Sequence, residues 1–129
     1  MNLKKTMFIA LVLFVMLVAG VSAQSVEQQA NTLLNRYEAL AKGFEALANE
    51  SGKLAAEQRP TKQALTRLEN NRQNLLKQQR QNQADWRAFF TTDRDVTQAQ
   101  QTRMNKIGDR ILLADDRIGA NIRTINSKL

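Results

Sequence analysis

The stretch that decides the fold is Val26–Leu54, which reads VEQQANTLLNRYEALAKGFEALANESGKL. Apolar or small residues recur in it at alternating steps of four and three. They are Val26, Ala30, Leu33, Tyr37, Leu40, Phe44, Leu47, Ser51 and Leu54. Such steps place side chains on one face of an α-helix, and about four successive heptads are typical of helices that pack along one another. The stretch therefore predicts a long helix within a helical bundle.

Two further helical patterns follow, so the sequence predicts helices over about residues 25–58, 61–90 and 94–129. Ser25 followed by Gln28 predicts a capping box at the first helix. Arg59-Pro60 ends that helix, and Pro60 fits the first position of the next one. The hydroxyls and carboxylates of residues 91–95 predict the start of the third helix. Short connections make successive helices antiparallel neighbours, which predicts an all-α, up-down-up three-helix bundle or coiled coil. The alternative is a hairpin of the first two helices whose third helix pairs with another chain.

Residues 1–23 have the pattern of a cleaved secretory signal peptide, which leaves a single helical domain over residues 24–129. Lys4 and Lys5 precede an apolar run, and Val21-Ser22-Ala23 is a small-residue cleavage site. The alternative, an uncleaved membrane anchor, is disfavoured because about 15 apolar residues span only ~22 Å of a ~30 Å hydrocarbon core. The short, simple signal indicates a bacterial exported protein, with the periplasm expected first and release to the outside second.

Composition excludes most catalytic chemistry. The chain has no histidine and no cysteine. These residues supply the commonest general bases, nucleophiles and transition-metal ligands. The sequence therefore predicts a non-enzymatic protein with no catalytic residue, no cofactor and no metal site.

The positive charge is concentrated in the second predicted helix. The chain has 19 basic and 12 acidic residues, for a net charge of +7, and residues 60–90 hold six basic against two acidic side chains. Anionic lipid, lipopolysaccharide or an acidic protein surface are the expected counterparts. Nucleic acid is not expected, because export argues against it and aromatic residues do not alternate with the basic ones. The alternative is a basic surface that only keeps the protein soluble.

The second helix has a polar gap where its buried face should be apolar. Arg72, Gln79 and Asn82 occupy core positions, and residues 77–83 contain no apolar residue. In an antiparallel pair this gap faces Tyr37 and Leu40, which predicts an incompletely covered apolar stripe rimmed by basic residues. Such a stripe suits an amphipathic helix with acidic flanks, or unfolded polypeptide. The predicted partner-binding residues are Tyr37, Leu40, Phe44, Arg72, Lys77, Gln79, Arg80, Asn82 and Arg87. The alternative is that long glutamine and arginine side chains cover the stripe themselves.

Two short segments resemble a known motif. Leu65-Thr66-Arg67-Leu68-Glu69 and Val96-Thr97-Gln98-Ala99-Gln100 each differ by one substitution from LTxxQ, the motif of the Spy-type periplasmic chaperones. The resemblance covers ten residues and implies a small, helical, basic protein that binds unfolded clients.

Together these features predict a small adaptor, chaperone-like factor or assembly subunit that binds a protein partner or unfolded client, or forms a homo-oligomer. The alternative is a structural or membrane-surface protein whose basic face binds anionic lipid or lipopolysaccharide.

Overall fold

In a computed structural model, residues 25–90 and 96–129 are described, and they form three α-helices and no strand. The helices are α1 (Val26–Ala56), α2 (Lys62–Phe90) and α3 (Gln98–Ser127). They pack together as a helical bundle. The predicted signal peptide, residues 1–23, and its cleavage site lie outside the described residues.

The first helix begins and continues as its sequence predicts. Ser25 Oγ accepts a hydrogen bond from the Gln28 amide, and the Gln28 side chain accepts one from the Ser25 amide, each 3.2 Å long. This capping box satisfies amide groups that have no partner within the helix. The helix passes through Ser51-Gly52 because Ser51, although fully buried, donates its hydroxyl to the Ala48 carbonyl at 2.8 Å.

The second helix begins two residues after the proline. Thr61 Oγ1 accepts a hydrogen bond from the Ala64 amide at 3.1 Å, so Thr61 caps α2. Pro60 therefore precedes the helix and does not occupy its first position as predicted.

The third helix begins later than its predicted start near Arg94. Thr97 is its N-cap and forms a capping box with Gln100, through hydrogen bonds of 3.0 and 3.1 Å. The Gln100 side chain also donates to Asn31 Oδ1 at 3.2 Å, which ties this end of α3 to α1. The predicted cap, within residues 91–95, falls on residues that the structure does not describe.

The core is built around α1, which packs against both other helices, whereas α2 and α3 hardly approach each other. The third helix therefore packs within the chain. Large side chains that are almost completely buried come from all three helices. They are Leu34 and Phe44 of α1, Leu68 of α2, and Ile107, Ile111, Ile118 and Ile125 of α3.

The contacts fix which parts of the helices meet. An early residue of α1, Arg36, is paired with Asp85 near the end of α2, and Gly43 contacts Leu75. Contacts between α1 and α3 advance in the same direction along both helices. Asn31, early in α1, accepts a hydrogen bond from Gln100, early in α3, and Ser51, late in α1, accepts one from Asn121, late in α3, at 2.9 Å. None of the three described helices has an apolar segment that could span a lipid bilayer.

One flank of the bundle, between α1 and α3, is closed by Arg110. Its guanidinium donates to Glu38 at 2.8 Å and to Glu45 at 2.5 Å. The hydrogen bond from Arg110 holds the pKa of the Glu45 carboxyl below its usual value, and burial acts in the opposite direction. Among the residues described, the flank between α2 and α3 is crossed by one ion pair, Arg72–Asp115.

Candidate functional site

An open cleft of about 510 Å³ lies between α2 and α3 over the edge of α1. We call it the α2–α3 cleft. Its lining residues are Tyr37 of α1, Asn82, Gln83, Trp86 and Arg87 of α2, and Met104, Asn105, Gly108 and Asp109 of α3. The cleft thus combines an aromatic and thioether interior with amide groups and opposite charges at its edges.

Tyr37 forms the floor of the cleft and is held close to α3. A Cβ atom added at Gly108 would lie 3.3 Å from the Tyr37 hydroxyl, so the glycine permits this close approach. Burial raises the pKa of Tyr37, a hydrogen bond with Gln79 opposes the rise, and the nearby Asp109 carboxylate adds to it. The phenol therefore stays protonated at neutral pH and is available as a donor.

Asn82 places an unused hydrogen-bond donor in the cleft. Its side chain is only 6% exposed, and Nδ2 has no hydrogen-bond partner among the described residues. Burying an unpaired amide is unfavourable. Beside it, Trp86 is 6% exposed and packs edge-to-face on Phe89, with ring centroids 5.7 Å apart. A bound group that supplied an oxygen acceptor to Asn82 would satisfy the amide.

An ion pair joins α2 to α3 outside the cleft lining. Arg72 Nε donates to Asp115 Oδ1 at 2.8 Å, and Arg72 Nη2 donates to Asp115 Oδ2 at 3.2 Å. This two-point contact raises the pKa of the Arg72 guanidinium above its already high value. A Cβ atom added at Gly119 would lie 3.4 Å from Arg72 Nη2, so the arginine lies against α3 at a small residue.

Leu112 marks the middle of the open flank. It lies one helical turn from Gly108, which approaches Tyr37 of α1, and from Asp115, which pairs with Arg72 of α2, so Leu112 lies on the flank of α3 that carries these two residues. Yet Leu112 is 63% exposed, and Leu76 on α2 is only half-buried. The apolar walls of α2 and α3 therefore do not meet at this height.

The exposed stripe that the sequence predicts on α1 is not found. Leu40 is 6% exposed and Phe44 is fully buried, because α3 packs along α1 and covers what α2 leaves open. Tyr37 is 9% exposed and is the α1 residue that lines the cleft. The opening is instead displaced to the α2–α3 flank. Whether these α1 residues contribute to partner binding stays a prediction.

Apart from the buried Asn82, the predicted residues on α2 divide into two groups. Arg72 and Gln79 are half-buried and are engaged by Asp115 and Tyr37. The three remaining basic residues, Lys77, Arg80 and Arg87, are exposed, and Arg87 also lines the cleft.

The α3 wall of the cleft was not predicted as a site. It comprises Met104, Asn105, Gly108 and Asp109, and the exposed Leu112 lies one turn beyond Gly108. The sequence signal for it was Gly108, a glycine beside the buried face, since a missing side chain there allows another helix to come close.

The two segments that resemble the LTxxQ motif use their hydroxyls within their own helices. Thr97 caps α3 together with Gln100, and Thr66 Oγ1 donates to the Lys62 carbonyl at 3.0 Å inside α2. The segment that contains Thr97 begins a helix, whereas the segment that contains Thr66 lies within one, so the two have different local roles here.

No protein-family model, no curated protein and no solved structure matches this chain.

Proposed function

We propose that this chain is an exported, non-enzymatic protein of the bacterial envelope that binds other proteins through the α2–α3 cleft, as a small adaptor or chaperone-like factor. On this proposal residues 1–23 direct export and residues 24–129 fold as one up-down-up bundle. Mass spectrometry of the exported protein is expected to find Gln24 at its N-terminus. Recovery of the intact chain from Met1 in the membrane fraction would contradict cleavage.

The observation that carries the proposal is the exposure of Leu112 on the flank of α3 that also carries Gly108 and Asp115. An apolar side chain in that position is normally covered by the neighbouring helix. Here Leu112 is 63% exposed, and Leu76 and Met104 are only partly buried against the core. An amphipathic helix or an extended apolar segment lying along the cleft would remove this surface from water.

Polar groups at the cleft indicate what such a partner must carry. Asn82 Nδ2 requires an acceptor, which a backbone carbonyl or a side-chain amide of the partner supplies. Arg87 on the α2 wall and Asp109 on the α3 wall present opposite charges along the two edges. A partner segment with an acidic edge toward α2 and a basic edge toward α3 therefore complements both walls.

Suppression of client aggregation tests the proposal. Reduced, unfolded lysozyme is diluted from denaturant with and without the protein, and light scattering is followed at low and at high salt. The wild type is expected to suppress aggregation at both salt concentrations, and Leu112→Gln to suppress it less. Leu113→Gln is the matched control, because Leu113 is 66% exposed but lies about 100° further around α3. Equal activity of the two variants would contradict binding at the cleft.

A second candidate function rests on the basic surface of α2. Exposed lysines and arginines run along it, and none of them forms an ion pair within residues 25–90 and 96–129. They are Lys62, Arg67, Lys77, Arg80 and Arg87. This arrangement favours an anionic lipid or lipopolysaccharide surface. Binding to phosphatidylglycerol vesicles that is lost between about 50 and 500 mM salt would support this candidate, because screening weakens exposed charges most. Absence of vesicle binding at low salt would exclude it.

A further inference from the structure

We propose that the partner that occupies the α2–α3 cleft is a second copy of this chain, packed cleft to cleft about a two-fold axis parallel to the helices. This inference rests on the proposed function, since it assigns the partner of the same binding surface. It follows from the order in which apolar and charged residues occur along the two walls.

The Arg72–Asp115 ion pair fixes the relative heights of the two walls. Four residues further along α2 lies Leu76, and three residues back along α3 lies Leu112, so the two leucines are at nearly the same height. Further from the ion pair in the same direction, Arg80 lies eight residues after Arg72 on α2, and Asp109 lies six residues before Asp115 on α3. Their heights therefore differ by about two residues, or ~3 Å. Each wall therefore carries one half of an apolar contact and one half of an ion pair.

Beyond the ion pair, in the opposite direction, each wall carries one further charge, and the two charges are of opposite sign. Glu69 is close enough to Arg72 to raise the pKa of its guanidinium, and Arg123 approaches Arg72 near Gly119. Glu69 belongs to α2 and Arg123 to α3. The order along α2 is thus acidic, apolar, basic, and in the same direction along α3 it is basic, apolar, acidic, with Glu69 and Arg123 about five residues, or ~7.5 Å, apart in height.

Within one copy these complementary groups are not joined. Leu112 remains 63% exposed, and the described ion pairs include none formed by Glu69, Arg80, Asp109 or Arg123. At the Tyr37 end the walls are separated by the open cleft, which Tyr37 and Trp86 line. The complementarity is therefore unused unless another surface supplies it.

A two-fold axis parallel to the helices supplies it from the same sequence. Such an axis leaves heights unchanged and exchanges left and right, so α2 of one copy faces α3 of the other at equal height. Leu76 then meets Leu112 of the second copy, and Arg80 meets Asp109 of the second copy, each contact occurring twice. A two-fold axis across the helices would instead place α2 against α2, with arginines facing arginines. The charges therefore select the parallel axis.

The test exchanges charges between copies. Arg80→Asp and Asp109→Arg are each expected to weaken self-association at least about tenfold, since either change turns two attractive contacts into repulsive ones. Sedimentation equilibrium of the purified wild type at about 10–100 μM is expected to give twice the monomer mass. An equimolar mixture of the two variants is expected to recover the dimer. In the mixed dimer the aspartate introduced at position 80 faces the arginine introduced at position 109, and the unchanged Arg80 faces the unchanged Asp109, so both contacts are attractive. Arg117→Asp, an exposed position away from the cleft, is the control and leaves the mass unchanged.

A wild type that stays monomeric at about 100 μM, or a mixture that dimerises no better than either variant alone, overturns the inference. Mixing is decisive because closure of the cleft within a single chain cannot be restored by a second chain. Failure of the proposed function is separately recognisable. A monomeric wild type whose client binding still falls with Leu112→Gln keeps the cleft as a binding surface and removes only the second copy as its partner.

Discussion

Replacing Asn82 by leucine should make the protein more stable. The Asn82 side chain is 6% exposed and its Nδ2 has no hydrogen-bond partner within the described part of the chain. An unsatisfied buried amide costs ~1–3 kcal/mol, and a leucine of similar size removes that cost while adding apolar contact with Tyr37 and Trp86. We expect a gain of ~1–3 kcal/mol in the free energy of unfolding. For a domain of about 100 residues, each kcal/mol raises the melting temperature by ~4–8 °C.

Thermal and urea unfolding followed by circular dichroism measure this gain. Asn70→Leu is the matched control, because Asn70 lies on the exposed face of the same helix and its replacement should change stability by less than ~0.5 kcal/mol. The Asn82→Leu variant should also bind clients less well, since the substitution removes the Nδ2 group that donates a hydrogen bond to the bound client. A melting temperature equal to or below that of the wild type would refute the reasoning, because it would mean that the amide is satisfied in solution.

Three further substitutions test the packing. Leu40→Asp should cost ~3 kcal/mol or more, measured by urea unfolding, because it buries a charge at a position that is 6% exposed; a melting temperature within about two degrees of the wild type would contradict the bundle. Arg72→Leu should lower stability by ~1–2 kcal/mol by leaving Asp115 unpaired, and a more stable variant would contradict a role for the ion pair. Arg110→Gln should cost less than ~1 kcal/mol at pH 7, because the side chains of Arg110 and Glu45 are 36% and 42% exposed. The pKa of Glu45 is lowered in the folded protein, so this contribution is present above its usual value of 4.5 and is lost as pH falls below it. Thermal melts across pH should therefore show the difference from wild type vanishing in acid, with the exposed Arg117→Gln as control.

The helices and their contacts on α1 were predictable because heptad spacing reports directly on one buried face. The predicted facing of Tyr37 and Asn82 agrees with their common position in the α2–α3 cleft. The start of α3 was predictable in principle, since Thr97 and Gln100 have the same spacing as Ser25 and Gln28. The hydroxyl-rich residues 91–95 compete with them as caps, and spacing alone does not decide between neighbouring caps.

The position of the opening was not predictable from the first two helices alone. Their pairing correctly indicated a polar gap in α2 but placed the uncovered surface on α1, where Phe44 is fully buried. Coverage of α1 depends on α3, and the direction of Arg72 depends on Asp115, 43 residues away in the sequence. Such long-range contacts leave no periodic signal, so a core-position arginine looks the same whether it interrupts a core or pairs across a cleft.

The most direct test of the central claim uses the absence of cysteine from the chain. A single cysteine introduced as Leu112→Cys or Leu113→Cys can be labelled with a fluorophore that responds to polarity, since both positions are more than half exposed. Reduced, unfolded lysozyme is then added at a protein concentration at which the chain is monomeric. If the α2–α3 cleft binds proteins, the label at 112 shifts its emission to shorter wavelength and the label at 113 does not. Equal shifts at both positions, or a shift at 113 alone, would contradict binding in the cleft.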